Sequence, residues 1–452
     1  MPEALEVKHA QRQLQAINKA LGSGRYVHVH KVLHEMPASD IALLLESSPS
    51  KSRNEIWEML DADFYGDVLE ELSEDVRNGI IGQMLPEKVV DALEDMDIDD
   101  LAETLSSLPH SVSRDVLKSM DEQDRQRAEK ALSYGEDTAG FIMNTDTITL
   151  RADVNVDVIL RYLRLKGEIP EGTDTFYVVS RHDILIGTVP VTKLLTALPD
   201  STVEELMVEE PEAIPVDMPE KEVAKLFERY DWLSAPVVDA DHQLLGRITI
   251  DDVVDIIRED AEHSMMSMAG LDDEEDTFAP VLQSTQRRSV WLAVNLVTAL
   301  LAAAVSDLFE ATLSQLAVLA ILNTIVPSMG GVAGNQTLTL VIRGMALGHV
   351  NEGNSRWLIS KELAIGFFNG AIWAILIASV IALWKQDWML GAVIAFAMLV
   401  NMIAAGLAGA TLPLVMKKLK IDPALAGSVI LTTITDVVGI FAFLGTATLF
   451  LI

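Results

Sequence analysis

Several polar side chains lie inside a segment that is otherwise apolar enough to cross a bilayer. The stretch Asn323 to Gly348 reads NTIVPSMGGVAGNQTLTLVIRGMALG and overlaps the apolar segment 315–342. Its proline and glycines disfavour a regular helix, and polar groups at membrane depth are tolerated only on protein or along a water-filled path. Pore lining is one interpretation; a packing face is the other, since Gly330 and Gly334 form a GxxxG pair. The polar residues are Asn335, Gln336, Thr337 and Thr339.

Asp436 is a carboxylate deep inside the apolar segment 423–451, with threonines around it that include Thr432. If the segment is a helix, Asp436 lies about 20 Å along it. A charge at that depth in a membrane has a high free-energy cost, so its presence indicates a function. The segment offers no further titratable group for a proton relay and no cation for an anion path, so a cation path fits best. Two such carboxylates across a two-fold axis would suit hydrated Mg²⁺. The alternative is a protonated carboxyl bonded to a neighbouring helix.

Charge divides the 452-residue chain into two parts. From Arg287 onward there are nine Lys and Arg and seven Asp and Glu, whereas residues 1–286 hold 34 − 9 = 25 basic and 67 − 7 = 60 acidic residues. The first part is therefore an acidic soluble half that argues against nucleic acid as a partner and favours divalent cations, unless its acidity only confers solubility. The absence of cysteine excludes disulfides and thiolate metal sites. Without a basic-then-apolar leader, we expect this half to stay in the cytosol.

Residues 1–135 show helical spacing with polar breaks about every dozen residues, which predicts a superhelix of short helices. Within it, Asp95 and Asp99 lie four residues apart, on one face of a helix. Two carboxylates at that spacing repel each other, and a cation that bridges them to another surface would relieve the repulsion. The alternative is an ordinary solvated helix face.

Residues 136–262 change to a β-α-β-β-α pattern that occurs twice, in about 60 residues each. The second copy resembles a CBS domain, a module that commonly holds adenosine nucleotides through a Gly-x-x-Thr-x-x-Asp turn. Gly246, Thr249 and Asp252 match that turn. At these positions the first copy has Gly187, Pro190 and Lys193, so it keeps only the glycine of the turn. The second copy is thus a candidate site for ATP or another adenosine nucleotide, and a purely structural turn is the alternative.

The membrane part begins at Arg287, after a connector at 263–286. Five segments reach the length of a span, at 289–309, 315–342, 357–384, 389–416 and 423–451. Lys and Arg precede the first span and fill the loops after the second and fourth, which puts those loops and the acidic domains in the cytosol and the C-terminus outside. The second and fourth spans share a GVAG/GLAG likeness, which predicts paired broken helices beside a binding path. The alternative is an accidental likeness between two helices rich in small residues.

The stretch PSMGGVAGNQTLTLVIRGMALG, the segment TTITDVVGI and the preceding CBS pair together resemble the MgtE family of magnesium channels. The resemblance implies a multidomain membrane protein: a superhelical N-terminal domain (1–135), CBS domains at 136–200 and 201–262, a connecting helix at 263–286 and a five-helix pore domain at 287–452. It further implies a homodimer with the pore on its axis. Matched by motif, Asp436 corresponds to the pore carboxylate, with Asn335, Thr339, Gly331 and Thr432 beside it.

The resemblance also implies cytosolic Mg²⁺ sites at acidic interfaces that close the pore when the ion is plentiful. The matching positions are Asp95, Asp99, Asp231, Asp252, Asp255, Asp260 and Asp422. Two departures stand out. Val332 replaces an asparagine that is frequent after the two glycines, and His263 with Ser264 replaces an acidic pair on the connector.

We therefore expect a homodimeric Mg²⁺ channel of the bacterial inner membrane, a transport protein rather than an enzyme. Since the chain has no GxxxxGK[ST] motif, the driving force would be the membrane potential, worth roughly 4.6 kcal/mol per 100 mV for a divalent ion. The alternatives are a transporter of Mn²⁺ or Co²⁺, a Mg²⁺ exporter, and a membrane-anchored CBS nucleotide sensor.

Overall fold

The computed structural model describes residue 17 and residues 26–93, 96–167, 169–170, 172–271, 275–351 and 353–452. Two compact units divide the chain. The first comprises Met1–Ala261 with Glu274–Pro280, and the second comprises Glu262–Asp273 with Val281–Ile452.

Short helices fill the N-terminal region of the first unit. Most of them begin about a dozen residues after the start of the preceding helix. The predicted recurrence of short helices is therefore confirmed. The helices are α1 (Tyr26–Leu33), α2 (Ala38–Glu46), α3 (Ser50–Trp57), α4 (Tyr65–Glu70), α5 (Glu74–Ile81), α6 (Pro86–Leu93), α7 (Ile98–Ser107), α8 (His110–Ser119) and α9 (Glu122–Ala131), with a 3-10 turn at Ala62–Phe64.

Extended residues at the helix starts produce this repeated turn. Pro37, Pro49 and Pro109 each cap a helix with ψ between 133° and 154°; proline fixes φ for the extended step and ends the preceding helix. Several of these helices then pack on the next but one along the chain, as α2 does on α4 and α4 on α6. The result is one continuous core that includes Leu44 and Leu93.

Two small sheets follow, one in each copy of the β/α repeat. The first sheet has the order β1 (Thr149–Leu150), β2 (Thr175–Val179), β3 (Leu185–Pro190), β4 (Val208–Glu209), and the second has β5 (Ile214–Pro215), β6 (Ser234–Val238), β7 (Leu244–Thr249). The helices are α10 (Val156–Lys166), α11 (Val191–Thr196), α12 (Val203–Leu206), α13 (Glu220–Tyr230) and α14 (Ile250–Ala269).

The two copies are related in register. Val178 pairs with Gly187 in the first sheet and Val237 pairs with Gly246 in the second, and a bulge follows at the same place in both. The hairpin turns also bond reciprocally: Leu185 N donates to His242 O and Leu244 N donates to Asp183 O. The predicted double occurrence of one β/α pattern is confirmed.

The predicted domain boundaries at 135, 200, 262 and 286 stay predictions. Helix α14 continues across residue 262 without a break, and the next helix, α15 (Val281–Asp307), begins before Arg287.

Among the described residues of the second unit, five helical segments are long and apolar enough to span a membrane, in agreement with the predicted number. They are α15, then α17 (Ala317–Leu322) together with α18 (Ile325–Ala346), then α19 (Ser355–Lys385), α20 (Trp388–Lys418) and α21 (Pro423–Phe450). The short helix α16 (Glu310–Gln315) connects the first span to the second. The length and composition of these helices are those of a membrane protein.

The prediction of paired broken helices needs correction. The second span is interrupted at Asn323 and Thr324, before the glycines, and residues 325–346 then form one helix with Pro327 in its first turn, where proline is tolerated. The fourth span, α20, is unbroken although Pro413 lies inside it. Helix–helix packing has overridden the low helix propensity of glycine in both segments.

A buried ion pair fixes the segment that precedes α15 within the first unit. Arg53 Nη1 lies 2.9 Å from Asp276 Oδ2, with the two side chains 7% and 9% exposed. The same guanidinium donates to Leu45 O and Ser48 O. We predict that Asp276→Ala lowers the free energy of local opening of α3 by about 3 kcal/mol, because it leaves a buried charge without its partner.

Hydrogen exchange of α3 amides in the detergent-solubilised full-length protein measures this change. The matched control is Asp115→Ala, which removes an ion pair with Lys118 that is exposed on both sides, and whose loss should cost less than about 1 kcal/mol. Equal effects of the two substitutions would contradict the prediction.

Candidate functional site

Helices α18 and α21 approach each other closely around the candidate pore residues. A Cβ on Gly331 would lie 3.9 Å from Thr435 Oγ1, and a Cβ on Gly334 would lie 3.0 Å from the side chain of Leu431. Thr435 is fully buried, and the next residue along α21 is Asp436. The sequence thus brings the glycine-rich helix against the helix that carries the deep carboxylate.

The two interpretations of the glycine-rich stretch describe two faces of α18. Gly330 and Gly334 are buried against neighbouring helices, which is the packing interpretation. Gly331, Asn335 and Thr339 recur every four residues, so they share another face; the first two are half-buried and Thr339 is exposed in the single chain. The polar face is therefore available to line a path, and the small-residue face positions it.

Asp436 is half-buried, and Thr432 is exposed one turn before it. The Thr432 hydroxyl donates to Ser428 O of its own helix, 2.9 Å away. In the part of the chain that the structure describes, Asp436 makes no hydrogen bond or ion pair, which does not favour the alternative of a carboxyl bonded to a neighbouring helix. The carboxylate is thus left available to a hydrated cation.

The sequence argument missed two buried polar residues of the second unit. Glu362 in α19 is 3% exposed, accepts a hydrogen bond from Thr337 Oγ1 at 3.1 Å and lies 3.4 Å from Lys361 Nζ. Asn401 in α20 is completely buried. Both are polar residues within an apolar segment, the same sequence signal that marks the polar residues of the second and fifth spans.

A cluster of carboxylates lies at the start of α7 in the first unit. One carboxylate oxygen from each of Asp97, Asp99 and Asp100 lies within 4.8 Å of the others, a spacing that could hold a metal ion. Asp97 also accepts a hydrogen bond from Asn144 Nδ2 at 3.1 Å. Asp99 was predicted here; Asp97 and Asp100 were not. Asp95 lies outside the described residues.

Burial and mutual repulsion raise the pKa values of this cluster. Burial, then Asp252 and Asp97, raise the pKa of Asp99 well above its ordinary value. Burial, then Asp99 and Glu70, raise the pKa of Asp100 to about 9, and burial, then Asp97, raise that of Glu70 to about 7. These carboxyls therefore lack a compensating positive charge, which a divalent cation would supply.

Asp252 belongs to both predicted sites. Its Oδ2 accepts from Thr249 N and Thr249 Oγ1, each at 3.0 Å, which forms the predicted turn at the start of α14. Burial raises its pKa to about 6 despite these lowering bonds. Gly246 lies so near the neighbouring chain that a Cβ would come 2.6 Å from Asn144 O. Thr249 and Asp252 thus form a turn with a structural role, and its role in nucleotide binding stays a prediction.

A second acidic group lies on α13 and α14. Burial, then Glu103 and Glu220, raise the pKa of Glu259 to about 7, and burial also raises that of Asp255, partly offset by Arg258. We call the two groups together the acidic seam: Glu70, Asp97, Asp99, Asp100, Glu103, Glu220, Asp252, Asp255 and Glu259.

Three further predicted carboxylates are not among these nine, although Asp260 lies close enough to Glu220 to contribute to the raised pKa of that residue. Asp260 forms an ion pair with Lys221, and Asp231 is exposed at the end of α13 in a left-handed conformation. Asp422 caps α21 through a bond from Ala424 N at 2.9 Å, while its other oxygen lies 2.7 Å from His263 Nε2. The structure therefore joins the predicted Asp422 site directly to the residue that departs from the acidic pattern.

Comparison with known proteins gives matches along most of the chain. Residues 323–446 match the divalent cation transporter family MgtE, residues 36–137 match the MgtE intracellular N domain, and residues 203–259 match the CBS domain. The chain is 30% identical over 433 residues to the magnesium transporter MgtE of Bacillus subtilis, covering 95% of this chain and 96% of that protein. It is 27% identical to the Thermus thermophilus protein of the same name, covering 96% and 98%.

A solved structure, the cytosolic domain of the Mg²⁺ channel MgtE in complex with ATP, is also similar. It shares 27% identity with this chain, covers 54% of this chain and 99% of its own, and superposes with a TM-score of 0.51. Together these matches confirm the predicted layout of a helical N-terminal domain, a CBS pair and a five-helix membrane domain.

The raised pKa values predict a pH dependence of the acidic seam. Opened carboxyls ionise near about 4, whereas Asp252, Glu70 and Asp100 have pKa values of about 6, 7 and 9 in the folded state. Between these two pKa values, a carboxyl is protonated in the folded seam and ionised in the opened seam. As the pH rises through this range, the free energy of opening therefore decreases, and it stops decreasing above the pKa of the folded state. Without divalent cations, we expect exchange protection of α7 and α14 to fall between about pH 5 and about pH 9.

Hydrogen exchange, corrected for the intrinsic pH effect, measures this protection. Asp100→Asn should flatten the slope, and Mg²⁺ should restore protection at high pH where NaCl of equal ionic strength does not. The prediction is contradicted if exchange protection does not change with pH, or if Mg²⁺ and NaCl restore it equally. Either result would indicate simple charge screening.

Proposed function

The chain belongs to the MgtE family of divalent cation transporters, and from this premise we propose that it is a Mg²⁺ channel closed by cytosolic Mg²⁺. Magnesium transport is the function that its relatives of similar length carry in their names. The observation that carries the proposal is Asp436, a half-buried carboxylate directly beside the close approach of α18 and α21.

The chemistry of this face suits a hydrated divalent cation. Asn335 and Thr339 offer amide and hydroxyl groups on the same face of α18 as Gly331, and Asp436 supplies the negative charge. One carboxylate per chain is too few for a dehydrated cage, but Mg²⁺ keeps most of its waters and uses one or two carboxylates. A second copy of the chain would place two around the ion, and we therefore propose a homodimer with the path on its axis.

The proposed orientation places the acidic first unit in the cytosol of a bacterial cell and the C-terminus outside the inner membrane. It follows from the basic residues in the first turns of α15, from those at the adjoining ends of α18 and α19, and from those at the end of α20 and in the loop that follows it. Mg²⁺ would then enter down the membrane potential, which supplies roughly 4.6 kcal/mol per 100 mV.

The acidic seam is the proposed sensor. Its carboxyls repel one another when no cation is present, so an arrangement that brings them together is stabilised by Mg²⁺. A ligand shifts the equilibrium between two states only by the difference in its affinity for them. A Mg²⁺ site that exists only when the seam is assembled binds the ion more tightly in the assembled state, so Mg²⁺ favours that state. The other proposed sites are Asp231, Asp260 and Asp422.

ATP binding is a second proposal. A similar cytosolic domain was solved in complex with ATP, and the second CBS copy carries the turn Gly246, Thr249 and Asp252. A nucleotide sensor that uses the membrane only as an anchor would need neither Asp436 nor the polar face of α18, so we favour transport, with a nucleotide as a regulator.

The role of Asp436 predicts a loss of transport. In liposomes, we expect Asp436→Ala to lower Mg²⁺ uptake at least about tenfold, equivalent to about 1.4 kcal/mol, while Asp436→Glu retains part of it. The matched control is Glu310→Ala, which removes an exposed carboxylate from α16, the short helix between the first two spans. Parallel uptake of Mn²⁺ and Co²⁺ tests the alternative cargoes, and undiminished Mg²⁺ uptake by Asp436→Ala would refute the assignment.

The contact between His263 and Asp422 predicts altered closure. His263 occupies one oxygen of Asp422, so that carboxylate contributes less to a Mg²⁺ site. We expect His263→Glu with Ser264→Asp to lower the Mg²⁺ concentration that closes the channel by at least about fivefold. Patch-clamp recording at stepped internal Mg²⁺ measures it.

An unchanged closing concentration would favour substitution by a nearby residue, Glu259 or Glu262. Glu259 already belongs to the acidic seam with Glu103 and Glu220, and Glu262 is exposed. Glu262→Gln in the wild-type background is therefore the control that separates the two cases.

A further inference from the structure

Asn401 is a completely buried amide near the middle of α20, a helix to which no part of the ion path has been assigned. It lies 401 − 388 = 13 residues after the first residue of the helix, about 20 Å along it. A polar side chain at this depth is costly unless it is bonded, and it indicates a function. The contacts of the amide show which helices it serves.

The amide nitrogen reaches the helix that carries Asn335. Asn401 Nδ2 donates to Val326 O in α18 over 2.8 Å. One turn along α18, a Cβ on Gly330 would lie 2.2 Å from Nδ2 and 2.8 Å from Cγ of Asn401. The amide thus occupies the space that any side chain larger than glycine would need.

The same amide also touches the helix that carries Asp436. A Cβ on Gly439 would lie 2.9 Å from Nδ2 and 3.2 Å from Cγ of Asn401. Gly439 lies three residues after Asp436, hence about one turn along α21. A single side chain therefore fills the gap between two glycines, one in each helix of the candidate path.

We propose that Asn401 is a positioning residue of the ion path, whose amide sets the spacing and rotation of α18 against α21. The inference rests on the proposed channel function. The hydrogen bond to Val326 fixes α18 along its axis, and contact with both glycines fixes the separation of the two helices. Gly331, Asn335 and Asp436 take their places from this spacing, since Gly331 and Thr435 face each other across it.

The Oδ1 atom of Asn401 has no hydrogen-bond partner among the described residues. Packing against the two glycines, together with the single bond from Nδ2, therefore holds the side chain. Asn401→Asp would place a second acceptor against the carbonyl of Val326 and should disturb α18 although its shape is nearly unchanged.

The test is Mg²⁺ uptake by full-length protein in liposomes, expressed per folded protein, with the half-saturating Mg²⁺ concentration measured in each variant. We expect Asn401→Ala and Asn401→Asp to shift that concentration or lower the flux by about threefold to thirtyfold, the range equivalent to one interhelical bond in a membrane. A residue that only supports folding would lower the yield and leave both quantities unchanged. The matched control is Asn369→Ala, an exposed asparagine midway along α19.

A size exchange tests the same contact from the other helix. Gly330→Ala should collide with the amide and lower the flux, whereas the double variant Gly330→Ala with Asn401→Ala has room for the new methyl group. We expect the double variant to transport as well as Asn401→Ala alone, so that the two losses are not additive. Additive losses, or wild-type kinetics in folded Asn401→Ala, would overturn the proposal, whereas absence of Mg²⁺ flux in the wild-type protein would instead overturn the proposed function.

Discussion

Backbone contact at glycines is the constraint on which the membrane unit depends. A Cβ on Gly409 would lie 2.7 Å from Gly334 O, and one on Gly366 would lie 2.7 Å from Met402 O. Apolar side chains gain little by leaving lipid for protein, so close van der Waals packing must hold such helices together. These contacts leave α18 little freedom to rotate, and they determine which of its residues face its neighbours.

The polar face of α18 follows from that constraint. Gly330 and Gly334 must face neighbouring helices, so the residues about a third of a turn away are turned elsewhere. Gly331 and Asn335 lie there, half-buried in the single chain. Glycine thus acts here through its small size at helix contacts, and the helix remains regular through most of the glycine-rich stretch.

Periodicity explains how much of the structure the sequence predicts. The repeat of short helices, the doubled β/α pattern and the five spans each arise from local patterns of apolar residues. The acidic seam was predicted only in part, because Asp100 and Glu70 acquire their raised pKa values from residues brought together by folding. Asn401 was missed for the same reason: its role depends on glycines in two other helices.

Carboxylates in the two units differ in a way that matches their proposed roles. Asp436 is half-buried and stands alone in its helix, so in the proposed channel it attracts a hydrated ion without replacing its waters. Asp99 is buried among other carboxylates with a strongly raised pKa, so a cation there competes with protons and must be shared by several ligands. Because Mg²⁺ loses water reluctantly, the environment of Asp436 favours rapid passage of the hydrated ion. The environment of Asp99 favours retention of a bound ion. In the proposed channel, the same ion therefore passes through one site, while its occupancy of the other site reports the cytosolic concentration.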